Sequence, residues 1–310
     1  MIYTLIPQLS RYLLAKSISI FLLGIIILSP PAGAADTEIV NARPALWQVT
    51  KAGGTVYLLG SFHILPKNYQ WYDGIISRSF EGSDELVMET EMTPEATAGI
   101  QATVINNAFF KDDDSLKNHL DEAHYAKMLG YAKKLMGMDE AMAKKSKPWF
   151  MAIQISLVSA MTSGMDPNSG VDKFLEGQAK KVQKPISGLE TPQESMNALI
   201  HHPMVVQAEM LSDTLDKLDD FKRYITSYLE AWASGDGDRM TKTMVEDMAD
   251  QPEMYQALLV DRNKNWLPAI EDHINSGKRI FIVVGAAHLV GKDGLVGMLQ
   301  AKGYRVDKIQ

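Results

Sequence analysis

The sequence predicts an α/β fold, with a central mixed β-sheet built from N- and C-terminal segments and a large helical insertion over about residues 94–276. Three observations predict it. Short apolar runs rich in β-branched, aromatic and Leu residues stand near both ends of the chain, which is the pattern of buried strands. Between them, apolar residues recur at helical spacing. Two of the runs also share a plan: Val56-Tyr57-Leu58-Leu59-Gly60-Ser61-Phe62-His63 and Phe281-Ile282-Val283-Val284-Gly285-Ala286-Ala287-His288 each meet a Gly and deliver a His three residues later. Ligands of open α/β sheets collect just beyond the carboxyl ends of strands, so His63 and His288 meet if their strands are neighbours in one sheet.

Taken in order, residues 1–35 read as an export signal. Arg11 and Lys16 give a positive start, Ser17 to Leu28 a short apolar core, Pro30-Pro31 a break, and Ala32-Gly33-Ala34 small residues for cleavage. That core is shorter than the roughly 20 apolar residues a spanning helix needs, and no later segment is long and apolar enough. The expectation is a periplasmic or secreted protein with no stable membrane span after cleavage, residues 36–310 forming a single domain.

Leu46 to Thr50, Gly53-Gly54 and Thr55 to Gly60 read as a β-hairpin turning at the Gly pair. Asp73 to Phe80 reads as one short helix, and Glu85 to Glu91 as a third strand. From Pro94 the periodicity turns helical, through Leu116, Leu120, Tyr125, Met128 and Leu135, then Trp149, Ile153, Leu157 and Met161. Gly164 to Gly170 is a turn cluster. Lys184 to Thr191 is a short strand with a helix starting after Pro192. Lys278 to Gly285 returns to the sheet, a helix follows from about Asp293 to Ala301, and Tyr304 to Ile309 makes the last strand.

Composition narrows the chemistry. The formal net charge is -7, and loss of Arg11 and Lys16 with the signal takes it to -9, which leaves no basic footprint for nucleic acid. With no Cys, disulfides and thiol catalysis are excluded, and any metal must be held by His and carboxylates. The 18 Met lie scattered on helical faces and read as core filling, with a soft Met-lined groove as the alternative. No Gly-x-Ser-x-Gly, His-Glu-x-x-His, Walker or Gly-x-Gly-x-x-Gly pattern points to a serine elbow, a zincin or a nucleotide site.

The candidate site residues follow from these placements. Glu89 and Glu91 end the third strand, and the period of two puts them on one face. Carboxylates at a strand tip are either solvated at the rim or face a cation or a His, because isolated buried charge is costly. Glu190 ends the next strand, with helix capping by Glu190 or Thr191 as the bland alternative. Arg262-Asn263 lies on a helix marked by Met254, Leu258, Trp266 and Ile270. Arg262 is either a surface ion pair or a guanidinium anchor for a carboxylate or oxyanion. His119, His124, His201, His202 and His273 have no evident partners. Two imidazoles with a carboxylate make a set suited to divalent Zn, Mn, Co or Fe with open positions; without metal, the same set offers a His general base with a Glu partner.

With these motifs in place, the chain resembles the TraB/PrgY/GumN family, related to the Tiki metalloproteases and more distantly to erythromycin esterases and ChaN haem-binding lipoproteins. The resemblance is carried by Leu46-Trp47 with its Gly-Gly hairpin, Tyr57 to His63, Leu86-Val87-Met88-Glu89, Val171-Asp172 with Leu175, Lys184-Pro185 through Thr191, Arg262-Asn263 and Val284 to Gly291. It implies paired Gly-x-x-His motifs that place His63 and His288 at the site, Glu89 as the acid, and Arg262 and Asn263 beside them. Two departures stand out: Glu91 replaces a frequent Asp, and Pro268 interrupts the helix after Arg262. The expected function is an exported, metal-dependent, peptidase-like hydrolase acting on a peptide or small molecule. In it, His63, His288 and Glu89 hold Mn, Co or Zn, and Arg262 and Asn263 orient the substrate or stabilise the oxyanion. The alternatives are a non-catalytic metal-, haem- or peptide-binding protein and a metal-free esterase-like hydrolase.

Overall fold

The computed structural model describes residues 38–310 apart from Ala52 and Ala249, so the expected export signal lies outside the described residues. In chain order the strands are β1 (Val40–Asn41), β2 (Leu46–Lys51), β3 (Gly54–Ser61), β4 (Tyr69–Gln70), β5 (Glu85–Thr90), β6 (Ile186–Glu190), β7 (Arg279–Gly285) and β8 (Val306–Lys308). Six of them form one mixed sheet in the order β6-β5-β7-β3-β2-β8, while β1 pairs with β4 apart from it. Strands β6, β5, β7 and β3 run parallel, and β2 is antiparallel to both β3 and β8. The α/β expectation holds.

The hairpin forms as the Gly pair predicts, one residue early: Lys51 pairs with Gly54, and Gly53 takes φ +87° in the turn. Neighbouring β3 and β7 carry the two Gly-x-x-His runs side by side but one residue out of step, with Gly60 opposite Val284 and Ser61 opposite Gly285. Gly60 lies within β3 rather than ending it. A Cβ on Gly60 would stand 2.9 Å from the Ala286 Cα, so this Gly lets the chain beyond β7 pack against β3.

The main helices are α1 (Gly74–Glu81), α2 (Pro94–Asn107), α3 (Glu122–Met136), α4 (Pro148–Thr162), α5 (Val171–Lys181), α6 (Pro192–Ile200), α7 (Met204–Lys217), α8 (Phe221–Ser234), α9 (Asp261–Asn275) and α10 (Leu295–Ala301). Their starts obey capping chemistry. Thr93 and Asp121 cap α2 and α3 through their side chains, and Thr191 with Glu194 forms a capping box at α6. Thr191 is the cap, which leaves Glu190 for another role.

The parallel strands, continuous apolar runs such as Ile280 to Val284, are covered by helices. Trp266, Ile270 and Ile274 of α9 and Val171, Leu175 and Ala179 of α5 join the sheet core. A second core of Leu116, Tyr125, Met128, Met151, Ile155, Leu211 and Leu215 packs α3, α4 and α7 together. The expected interruption at Pro268 does not occur, and α9 runs through it. Both Pro268 and Lys264, whose carbonyl loses its N–H partner, are exposed, so the lost bond falls on the solvent side of the helix. No helix of the described residues is long and apolar enough to cross a membrane.

Candidate functional site

Four parallel strands deliver their last residues to one edge. There His63 follows β3, Glu89 lies in β5, Glu190 ends β6 and His288 follows β7. An open cleft of about 530 Å³ lies above this edge, with Ser61, His63, Glu89, Arg262 and His288 among its lining residues. Its far wall is built from helix residues, including Met210, Phe221, Met244 and Met254, with Tyr224, Tyr228 and Asp247 set among them. The alternative reading of the Met residues thus applies to part of them: the cleft is Met-lined.

Arg262 stands at the centre of the buried part. Its Nε donates to both Glu190 oxygens at 3.1 and 3.2 Å, and its Nη2 donates to Glu190 Oε1 at 2.6 Å and Glu89 Oε2 at 2.7 Å. Its Nη1 donates to the Leu258 carbonyl at 3.3 Å and points to His288 Nε2 at 3.2 Å. The guanidinium also stacks on Trp266, 4.7 Å from the ring centroid, and Trp266 Nε1 donates to Glu190 Oε2. The spacing of Arg262 and Trp266 on α9 puts them on one helix face. The Leu258 carbonyl that takes part belongs to a π-helical turn, Gln256–Val260, just ahead of α9.

Asn263 is fully buried and faces the other way. Its Nδ2 donates to the carbonyls of His288 at 3.1 Å and Asp293 at 2.8 Å. Its Oδ1 is then the atom facing His288 Nδ1 at 2.7 Å, and as an acceptor it requires the ring proton on Nδ1. His288 Nε2 is left with a lone pair, which accepts from Arg262. Burial pushes the His288 imidazole down to about 4, with Arg262 and His63 adding to the effect and Glu89 opposing it, so the ring is neutral at pH 7. For Glu89, burial opposes the charge, but His288, Arg262, His63 and the Gly285 N–H outweigh it and hold the carboxyl at about 2. That N–H donates to Glu89 Oε1 at 2.6 Å, and His288 Nε2 lies 3.9 Å from the same oxygen.

His63 differs from His288. Its side chain is 68% exposed, at the mouth of the cleft, with Nδ1 3.1 Å from Asp172 Oδ1. Asp172 sits in the first turn of α5, and the Val171 N–H donates to the Phe62 carbonyl at 2.9 Å, pinning the helix start against the end of β3. Gly170 makes this approach possible, since a Cβ there would overlap the His63 carbonyl oxygen. The Asp172 carboxylate, with Glu89 adding to it, raises the His63 imidazole above its ordinary value, against the opposing effects of burial and Arg262.

His63, Glu89, His288, Arg262 and Asn263 therefore gather at one strand edge. Arg262 and Asn263 are turned inward and make their bonds to protein groups. Glu91 is exposed beyond the end of β5 and stays outside, whereas Glu190 joins. Sequence reasoning missed Trp266, taken only as an apolar marker, and Asp172 as the partner of His63. The signal for Asp172 was its place just after a turn-cluster Gly. His119 and His124 have carboxylate partners of their own, Asp114 for one and Asp121 with Asp216 for the other.

Glu89 Oε2 and His288 Nε2 already face the Arg262 guanidinium, and among the described residues no group of three His, Asp or Glu side chains converges on one point.

Fold and site define an α/β protein with a His–carboxylate–Arg array at the carboxyl edge of its parallel strands. The chain belongs to the TraB/PrgY/gumN family, whose family model matches residues 45–308. A comparison with curated proteins finds no match.

Proposed function

We propose that the chain is an exported hydrolase of peptide or ester bonds in which His63 is the general base. One observation carries this reading. His63 is an imidazole with Nδ1 3.1 Å from the Asp172 carboxylate and, among the described residues, no protein partner at its other nitrogen, in the same cleft as the Glu89–Arg262–His288 array. Among the described residues it is the site imidazole with a nitrogen to offer, because both nitrogens of His288 are engaged.

In the proposed step, a water oxygen bonds to the acyl carbon while its proton passes to His63 Nε2. The imidazolium returns that proton to the leaving amine or alkoxide as the acyl bond breaks. The Met- and Phe-lined wall favours an apolar side chain or acyl group near the scissile bond. Arg262 and Asn263 act through other residues: Arg262 keeps Glu89 charged, and Asn263 fixes the tautomer of His288.

The test is a panel of peptides and chromogenic esters assayed with purified protein and with His63→Ala. The variant should lose about 10²–10⁴-fold in rate while keeping its fold by circular dichroism. Equal rates in the two proteins would remove His63 from the chemistry. A Soret band on adding haem, abolished in His63→Ala, together with no hydrolysis across the panel, would favour the ligand-binding alternative.

A further inference from the structure

The array around Arg262 accounts for every proton the guanidinium owns. A guanidinium carries five N–H groups in a fixed fork. Here the Nε–H goes to Glu190, the two on Nη2 go to Glu190 and Glu89, and the two on Nη1 go to the Leu258 carbonyl and His288 Nε2. The side chain is 13% exposed, and the two carboxylates it joins are 16% and 7% exposed. None of these donors is left to reach into the cleft, and Glu89 Oε2 and His288 Nε2 both face Arg262.

We infer that Arg262 is the resident cation of this site, filling the position between Glu89 and His288 that a divalent ion would otherwise take. The charges favour this. Two carboxylates in a low-dielectric pocket repel one another and need one cation between them, and Arg262 supplies it with matched planar geometry. A divalent ion beside it would meet a like charge at hydrogen-bond distance, with no free His nitrogen on the buried side. Arg262 is thereby a positioning residue: it holds Glu89 ionised and His288 Nε2 as an acceptor, and it does not touch substrate.

This rests on the site described above, but its test does not read hydrolysis, so the two fail separately. Mn²⁺ is titrated into the purified wild-type protein with the ring resonances of His63 and His288 followed by NMR. The expected result is that the His288 ring signals keep their intensity at one equivalent of Mn²⁺. Loss of those signals at substoichiometric Mn²⁺ would overturn the inference. Calorimetry with Mn²⁺, Co²⁺ and Zn²⁺ gives a second readout on wild type and Glu89→Gln. Any binding heat is expected to be the same in both, and one equivalent bound by wild type and lost in Glu89→Gln would overturn the inference.

Discussion

Asp172 and Asn263 set the two site imidazoles apart, and each is open to a single substitution. Asp172→Asn keeps the shape of the contact with His63 and removes its charge. A raised His63 value means the imidazolium persists to higher pH and the base form appears only as pH climbs through it. Hydrolysis should therefore rise along an alkaline limb in wild type, and in Asp172→Asn that limb should move down by about 1–2 pH units. An unmoved limb would separate Asp172 from the proton transfer. Asn263→Ala would leave the His288 and Asp293 carbonyls without their buried donor and free the His288 ring. Denaturant unfolding should show a loss of about 2–4 kcal/mol.

The start of α5 and the end of β3 form one joint, and Gly170 is its tightest point. Gly170→Ala forces a Cβ into the His63 carbonyl, so α5 must shift and carry Asp172 away from the imidazole. The expected outcome is about 1–3 kcal/mol of lost stability together with the downward limb shift of Asp172→Asn, read from urea midpoints and pH–rate profiles. A stability loss without the limb shift would mean that α5 does not position His63. At this scale the sequence was legible where local pattern decides. The apolar runs of β3, β5 and β7 and the Gly turn of the first hairpin follow from residue type. The sequence pattern carries the third strand one residue too far, through Glu91, whereas the chain leaves the sheet after Thr90 and turns into the Thr93-capped α2, which leaves Glu91 outside the site. Pro268 misled because its cost depends on which side of α9 faces water. The Asp172 and Arg262 contacts were not legible, since they join residues far apart in sequence through the packing of α5 and α9 on the sheet.

The whole molecule should weaken in acid for a reason located at this site. His288 has a folded value of about 4 against an ordinary 6.5, so as pH falls through that window the unfolded chain takes up a proton that the folded chain refuses. Glu89 adds a second loss, because its contribution is present above the ordinary 4.5 and disappears as pH falls towards about 2. His63 works in the opposite sense: its contribution is present below 6.5 and lost as pH rises, and solvent at its open ring keeps it small. In His288→Gln the decline in unfolding free energy between about pH 6.5 and 4 should be shallower by on the order of 2 kcal/mol, and an unchanged slope would place the acid sensitivity elsewhere. The central claim is that one imidazole moves protons while the other is locked by Arg262 and Asn263. Nitrogen-15 shifts of the two rings, followed from about pH 4 to about pH 9, test it most directly. The account predicts His288 neutral with its proton on Nδ1 throughout most of that range, and His63 still protonated above its ordinary value. Two rings titrating together near 6.5 would contradict it.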